Sequence, residues 1–158
     1  MNRTGTFYWR VTLIPSEIST GLVAGLGATA VMTLSEYPIW RRWGMEGVSE
    51  WHLNQVIMGR MMNRSPPSVV APGLLLHFVH GGLAGIIFTL LLPEISSIPT
   101  IEAAIGFGIV LWIIALIIMK PVTGIELRRH PLSILPLIVS LGGHILFGLI
   151  LGLAVVYI

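Results

Sequence analysis

Long apolar stretches alternate with short polar segments along this chain of 158 residues. The apolar stretches cover roughly residues 18–37, 71–92, 100–119 and 132–158. Each has about the 20 residues that an α-helix needs to cross the hydrocarbon core of a bilayer. The pattern therefore predicts an all-α fold, in which residues 1–158 form one domain built as a bundle of four transmembrane helices.

The segment between the first two stretches has a helical pattern of its own. Residues 49–62 carry an acidic side chain, Glu50, in the first turn, where the helix dipole favours negative charge. Trp51, Met58 and Met62 would share one face of this helix, and tryptophan favours the level of the lipid headgroups. We expect a fifth helix here that lies on the inner membrane surface.

The basic residues set the expected orientation. Loops 39–70 and 120–131 hold all the lysines and arginines except Arg3 and Arg10, which precede the first apolar stretch. Lysine and arginine are enriched in cytoplasmic loops. We therefore expect both loops in the cytoplasm and both termini outside the cell membrane.

Composition narrows the class of protein. Of the residues, 54% are hydrophobic and only 10% are charged, against about 25% charged in a typical soluble domain, which indicates an integral membrane protein. The formal net charge of +2 comes without a basic helix, so we expect no nucleic-acid partner. The absence of cysteine excludes disulfides, thiolate metal sites and cysteine nucleophiles.

A histidine followed by glycines four and eight residues later occurs in two of the predicted membrane helices. The residues are His77, Gly81 and Gly85, then His144, Gly148 and Gly152, and the first helix adds Gly21 and Gly25. Residues four apart share a helix face, and glycines there let membrane helices approach closely. We predict that these six glycines mediate helix packing. The match indicates either a duplicated helical hairpin or two glycine strips of independent origin.

Glu36 shares a helix face with the small residues of the first stretch, so it should point into the bundle near the inner surface. Lys120 ends the third stretch at the same level. Because an isolated charge within the membrane costs at least ~2.5–3.5 kcal/mol, we predict a structural ion pair between Glu36 and Lys120. In this interpretation each buried histidine donates to a carbonyl or a serine, such as Ser140 beside His144.

Three other interpretations of the same polar residues stay open. His77, His80 and His144 could bind a transition metal together with Glu36, since imidazole suits zinc, copper, iron and nickel. His77 and His144 could instead hold a haem, with the neighbouring glycines leaving room for the macrocycle. The residues could also form a proton path. Binding of no cofactor is the leading expectation. The sequence carries no catalytic motif, so we expect no enzymatic activity.

A set of residues spread along the chain carries a family resemblance. They are the Gly-x-x-Ala-Gly-x-x-Ala-Thr stretch at residues 21–29 with its extra Gly27, then Met32, Glu36, and the histidine–glycine helices containing His77 and His144. This arrangement resembles small uncharacterised four-helix membrane proteins of archaea and bacteria near the YagU-like proteins. The resemblance implies a fold and a membrane location, and it implies no activity.

The leading functional prediction is a non-catalytic small membrane subunit or scaffold that packs against a larger complex, such as an archaeal oxidase or monooxygenase. It depends on the glycine strips, which exceed what four helices need for their own contacts. The expected partners are therefore lipid and other membrane subunits. The alternatives are a metal- or haem-binding membrane protein and a small ion or proton transporter.

Overall fold

The computed structural model describes residues 15–44, 48–95, 97–124 and 134–158. These residues form five α-helices and no strand. The helices are α1 (Pro15–Trp43), α2 (Ser49–Met62), α3 (Val70–Leu91), α4 (Thr100–Thr123) and α5 (Leu135–Tyr157). Short 3-10 helices at Pro66–Val69 and Leu92–Ile95 flank α3. The predicted start of the last helix, at residue 132, lies outside the described residues.

Three helices end at residues that adopt the left-handed conformation. Gly44 after α1 and Gly124 after α4 have φ of 65° and 73°. Asn63 after α2 has φ of 51°. Side chains with a Cβ rarely adopt this conformation, and glycine and asparagine are the residues that commonly stop a helix in this way. The positions at which these three helices end are therefore determined by the local conformational preference of glycine and asparagine.

Four helical segments are long and apolar enough to cross a membrane: Ser16–Trp43, Pro66–Ile95, Thr100–Ile118 and Leu135–Tyr157. The predicted all-α membrane bundle is confirmed. The first helix is longer than expected, because it continues past residue 37 through Pro38 to Trp43. These last turns contain tryptophan and arginine, which suit the headgroup level. They are not apolar, so the apolar stretch ends at residue 37 although the helix continues.

The membrane helices follow the spatial order α3, α1, α5, α4, with α1 and α5 packed at the centre. The helices α3 and α4 make few backbone contacts and meet through Phe88 and Phe107, whose ring centroids lie 5.5 Å apart. The buried core is built largely from alanine: Ala24, Ala28, Met32, Ala84, Phe88, Ala103, Ala104, Phe147 and Leu151. Such small side chains hold the helices close together.

The six glycines singled out by the sequence all lie where two helices touch. Gly21, Gly25, Gly81 and Gly85 lie between α1 and α3, and Gly148 and Gly152 lie between α5 and α4. A methyl group added at Gly25 would lie 3.0 Å from the Cα of Gly85, and one at Gly152 would lie 2.9 Å from the Cα of Ile101. The strips are therefore occupied within the bundle.

The two glycine contacts have the same register relative to the histidine–glycine match. Gly81 faces Gly25 where α3 crosses α1, and Gly148 faces Ala104 where α5 crosses α4. The hairpins differ in how they meet, because α1 and α5 pack closely while α3 and α4 do not. The two hairpins are thus similar in construction but are not related by a strict two-fold repeat.

The helix α2 closes the end of the bundle where α1 ends and α3 and α5 begin, and it packs against α3, α4 and α5. Its buried face carries Glu50, Trp51, Asn54 and Gln55. The expectation that Trp51 faces the headgroups together with Met62 is wrong, because Trp51 is only 4% exposed and Met62 is 41% exposed. The indole N–H of Trp51 donates to the buried carboxyl group of Glu36, which holds the ring inside the bundle.

Candidate functional site

Glu36 lies deep in the end of the bundle that α2 closes, with 2% of its surface exposed. Its Oε2 accepts a hydrogen bond of 3.1 Å from Nε1 of Trp51. The Trp51 ring packs against Trp40, with ring centroids 5.0 Å apart. On the other side the carboxyl group lies against Gly143 of α5, where a side chain would collide with Glu36 and Met32. Two aromatic rings and one glycine therefore create the space for this carboxyl group.

Glu50 brings a second carboxyl group into the same end of the bundle, and it is 6% exposed. The hydroxyl of Ser140 on α5 donates to its Oε1. Nδ1 of His144 lies 3.6 Å from the same oxygen. The amide of Asn54 donates to the Glu50 main-chain carbonyl at 2.9 Å, which fixes the first turn of α2. Glu50 therefore joins α2 to α5.

His144 and His77 add two buried imidazoles, each 8% exposed. Nδ1 of His144 lies 2.9 Å from the main-chain oxygen of Ser140. A carbonyl oxygen can only accept, so Nδ1 of His144 carries a hydrogen. His77 lies on α3, beside Trp51 and Gln55 of α2. Its Nε2 is buried and has no hydrogen-bond partner among the described residues.

These side chains form one group, which we call the polar cluster. Its members are Glu36, Glu50, Trp51, His77, Ser140 and His144. Both carboxyl groups lie against one turn of α5, Glu36 at Gly143 and Glu50 at Ser140. Glu36 Oε1 and Glu50 Oε2 are buried without a hydrogen-bond partner in the described part of the chain. The cluster thus combines two carboxyl groups and two imidazoles in an interior of low dielectric constant.

Three of the four candidate metal ligands lie in this region, and the fourth is directed elsewhere. Glu36, His77 and His144 are buried, whereas His80 is exposed on α3. Across the described ranges, no three histidine or acidic side chains are arranged to hold a metal ion. The Lys120 side chain falls outside the described residues, so its ion pair with Glu36 stays a prediction.

The surroundings of His77 bear on the haem hypothesis. A closed crevice beside the imidazole is lined by Trp51, Gln55, Gly73 and Leu74, and it leaves no space for a water molecule. Gly73 permits this close packing, because a methyl group there would lie 2.9 Å from Cγ of Gln55. A haem between His77 and His144 would need a gap of macrocycle width, and this side of His77 is filled by α2.

Sequence reasoning assigned no role in the site to Glu50, Trp51 or Gly143. A signal for α2 was present, since Glu50 and Asn54 are four residues apart and would form a polar stripe on one helix face. In a helix beside a membrane bundle, such a stripe has two possible directions, toward water or toward other buried polar groups. Nothing in the sequence of α2 itself selects the second direction.

The comparisons with known proteins place the chain in an uncharacterised group. Residues 15–158 match the model of a family described as "Family of unknown function (DUF6789)". No curated protein and no solved structure matches the chain. The family match agrees with the predicted resemblance to uncharacterised proteins, and the likeness to YagU-like proteins stays a prediction.

Proposed function

The chain belongs to the DUF6789 family of unknown function, and we propose that it is an integral membrane protein that holds an exchangeable proton in its polar cluster. The proton would reside among the carboxyl groups of Glu36 and Glu50 and the imidazoles of His77 and His144. Such side chains are the usual parts of proton relays in membrane proteins. The proposal assigns no catalysed reaction to the chain.

One observation carries the proposal: two buried carboxyl groups contact the same turn of α5, Glu36 at Gly143 and Glu50 at Ser140. Two like charges close together in an interior of low dielectric constant repel each other strongly. A proton bound by one group removes that repulsion. It also supplies a donor for a carboxyl oxygen that lacks one, such as Glu36 Oε1 or Glu50 Oε2.

The apolar half of the bundle supports a subunit role as part of the same proposal. Beyond the polar cluster the core is closed by Phe88, Phe147 and Leu151, each at most 4% exposed. A proton held at the polar end has no polar route through these side chains. A larger membrane complex, of the oxidase or monooxygenase type or another, would therefore supply the remaining path.

The location of the cluster completes the proposal. Loops 39–70 and 120–131 are rich in lysine and arginine, which supports a cytoplasmic position for the end that α2 closes. The proton would then exchange with the cytoplasm in a cell-membrane protein whose termini lie outside.

Infrared spectroscopy of the purified full chain in lipid nanodiscs tests the bound proton directly. We expect a carboxyl C=O band from a protonated, buried glutamic acid, and a shift of this band in D₂O because the proton exchanges. Glu36→Gln or Glu50→Gln should remove or displace the band. The matched control is Glu102→Gln, which changes an exposed carboxyl group on α4 and should leave the band in place.

Two results would overturn the bound-proton proposal. One is the absence of a protonated carboxyl band, or a band that neither substitution in the cluster affects. The other is a stoichiometric transition metal in protein purified without chelator, lost in Glu50→Gln, since the metal would then occupy the place of the proton. Glutamine has nearly the shape of a protonated glutamic acid, so we expect both variants to fold.

A flux measurement tests the subunit role separately. We expect vesicles that contain the purified chain alone to retain a pH gradient as long as empty vesicles do. Faster decay with the wild type, abolished in Glu36→Gln, would identify a complete transporter and contradict the need for a partner.

A further inference from the structure

A second polar region lies at the turn between α2 and α3. A cavity of about 470 Å³ is lined by Arg60, Asn63, Arg64 and Ser65, together with Gly59. Both arginine side chains are exposed. None of its lining residues belongs to the polar cluster, and the lining includes two arginines, an asparagine and a serine. We call it the arginine pocket.

The backbone of the turn fixes the shape of this pocket. Asn63 adopts the left-handed conformation, and the Arg64 N–H donates to the carbonyl of Gly59 at 2.8 Å. A methyl group at Gly59 would lie 2.8 Å from the Arg64 carbonyl oxygen. The glycine therefore lets the chain fold back on the end of α2. This return brings the backbone of Arg64 to the last turn of α2, which also carries Arg60.

The charge of the pocket is not neutralised by the described part of the chain. Within the described ranges, no acidic side chain forms an ion pair with Arg60 or Arg64. A guanidinium group binds phosphate oxygens through paired N–H bonds. Two such groups beside an amide and a hydroxyl make a site suited to a phosphate group.

The position of the pocket indicates where that phosphate comes from. Pro66, in the pocket wall, is also the first residue of a candidate membrane span. Beside the arginines, Met61 and Met62 are 73% and 41% exposed. A phosphate site next to exposed apolar side chains at the start of a span matches an anionic lipid, with its headgroup in the pocket and its chains along the methionines.

We propose that the arginine pocket binds a phosphate group, presented at the membrane surface by an anionic lipid headgroup. Native mass spectrometry of the full chain in mild detergent measures this, with added phosphatidylglycerol or phosphatidylcholine as the probe. We expect the wild type to bind phosphatidylglycerol more tightly. Arg60→Gln with Arg64→Gln should weaken that binding about tenfold, because charge-assisted hydrogen bonds are lost.

The matched control removes the same two charges elsewhere. Arg41→Gln with Arg42→Gln changes two exposed arginines at the end of α1 and should alter the affinity by no more than about twofold. Arg60→Lys with Arg64→Lys keeps the charge and loses the planar paired donors, so it should fall between the wild type and the glutamine variant. Both arginines are exposed, so the melting temperature should stay close to that of the wild type.

Equal losses in the two glutamine pairs would overturn the proposal, because they would indicate attraction to charge in general. Equal affinity of the wild type for the two lipids would also overturn it. A competition with inorganic phosphate distinguishes the sources. Displacement of phosphatidylglycerol by millimolar phosphate would indicate that the pocket binds free phosphate. Continued lipid binding in millimolar phosphate would indicate that it binds the lipid headgroup.

Discussion

The polar cluster depends on individual donors that come from different helices. Trp51 on α2 donates to Glu36 on α1, and Ser140 on α5 donates to Glu50 on α2. Each buried carboxyl oxygen with a donor avoids the cost of an unmade hydrogen bond. Single side chains at these positions therefore join the helix that closes the bundle to the membrane helices.

Substituting one of these donors tests the energetics at this scale. Ser140→Ala removes the hydroxyl that donates to Glu50 and leaves a buried carboxyl oxygen without it. We expect the free energy of unfolding to fall by about 1–3 kcal/mol, measured by denaturation in detergent with tryptophan fluorescence as the signal.

The control for this substitution is Ser35→Ala. Ser35 makes a hydrogen bond to the Met32 carbonyl of its own helix at 2.7 Å, so its removal should cost less than about 0.5 kcal/mol. An equal loss in the two variants would mean that the bond between Ser140 and Glu50 contributes nothing beyond a local serine contact.

Sequence could predict some of the cluster's residues and not others. Glu36, His77 and His144 stand out because a polar side chain within an apolar stretch is costly and therefore noticeable. Glu50 lies outside any apolar stretch, and its partner Ser140 lies 90 residues along the chain. The helix dipole already explains an acidic residue in a first turn. The sequence therefore gives no reason to expect that Glu50 contacts α5.

At the scale of the helices, close approach of α1 and α3 is the strongest feature. Gly25→Ala adds a methyl group 3.0 Å from the Cα of Gly85, a contact that neither backbone can relieve easily. We expect a loss of about 1–3 kcal/mol in unfolding free energy from overpacking, with the same denaturation assay as the measurement.

Gly27→Ala, two residues along the same helix, is the matched control. A methyl group at Gly27 meets nothing within 4 Å, and alanine is a better helix former than glycine. This variant should be as stable as the wild type or slightly more so. If Gly25→Ala were equally harmless, the two helices would have to be farther apart than described.

The helices themselves were predictable because membrane spans are long and uniformly apolar. Which face of α2 would be buried was not predictable, because its buried and exposed faces both mix polar and apolar residues. Asn54 and Gln55 are buried while Met61 is exposed, the reverse of the usual order in water. This reversal follows from the neighbours of α2, which are buried polar groups on α1 and α5.

For the whole molecule, the orientation in the membrane is the next quantity to measure. Ser65 precedes α3 and Ser97 follows it, so the two residues lie at opposite ends of one membrane helix. With the basic loops in the cytoplasm, Ser65→Cys should react with a membrane-impermeant thiol reagent only in opened cells. Ser97→Cys should react in intact cells.

The natural chain contains no cysteine, so labelling reports on the introduced residue alone. Labelling of Ser65→Cys in intact cells, with Ser97→Cys protected, would show that the orientation is opposite to the expected one. The polar cluster would then exchange its proton with the outside.

The burial of the polar face of α2 against the bundle also has a consequence for biogenesis. Glu50 leaves the ribosome long before Ser140, its donor on α5. Until α5 has inserted, the carboxyl group of Glu50 has only water to bind, and α2 has reason to stay at the membrane surface. Burial of Glu50 is then completed only when α5 has inserted, so a chain that stalls before α5 leaves this carboxyl group open to water and to quality-control proteases.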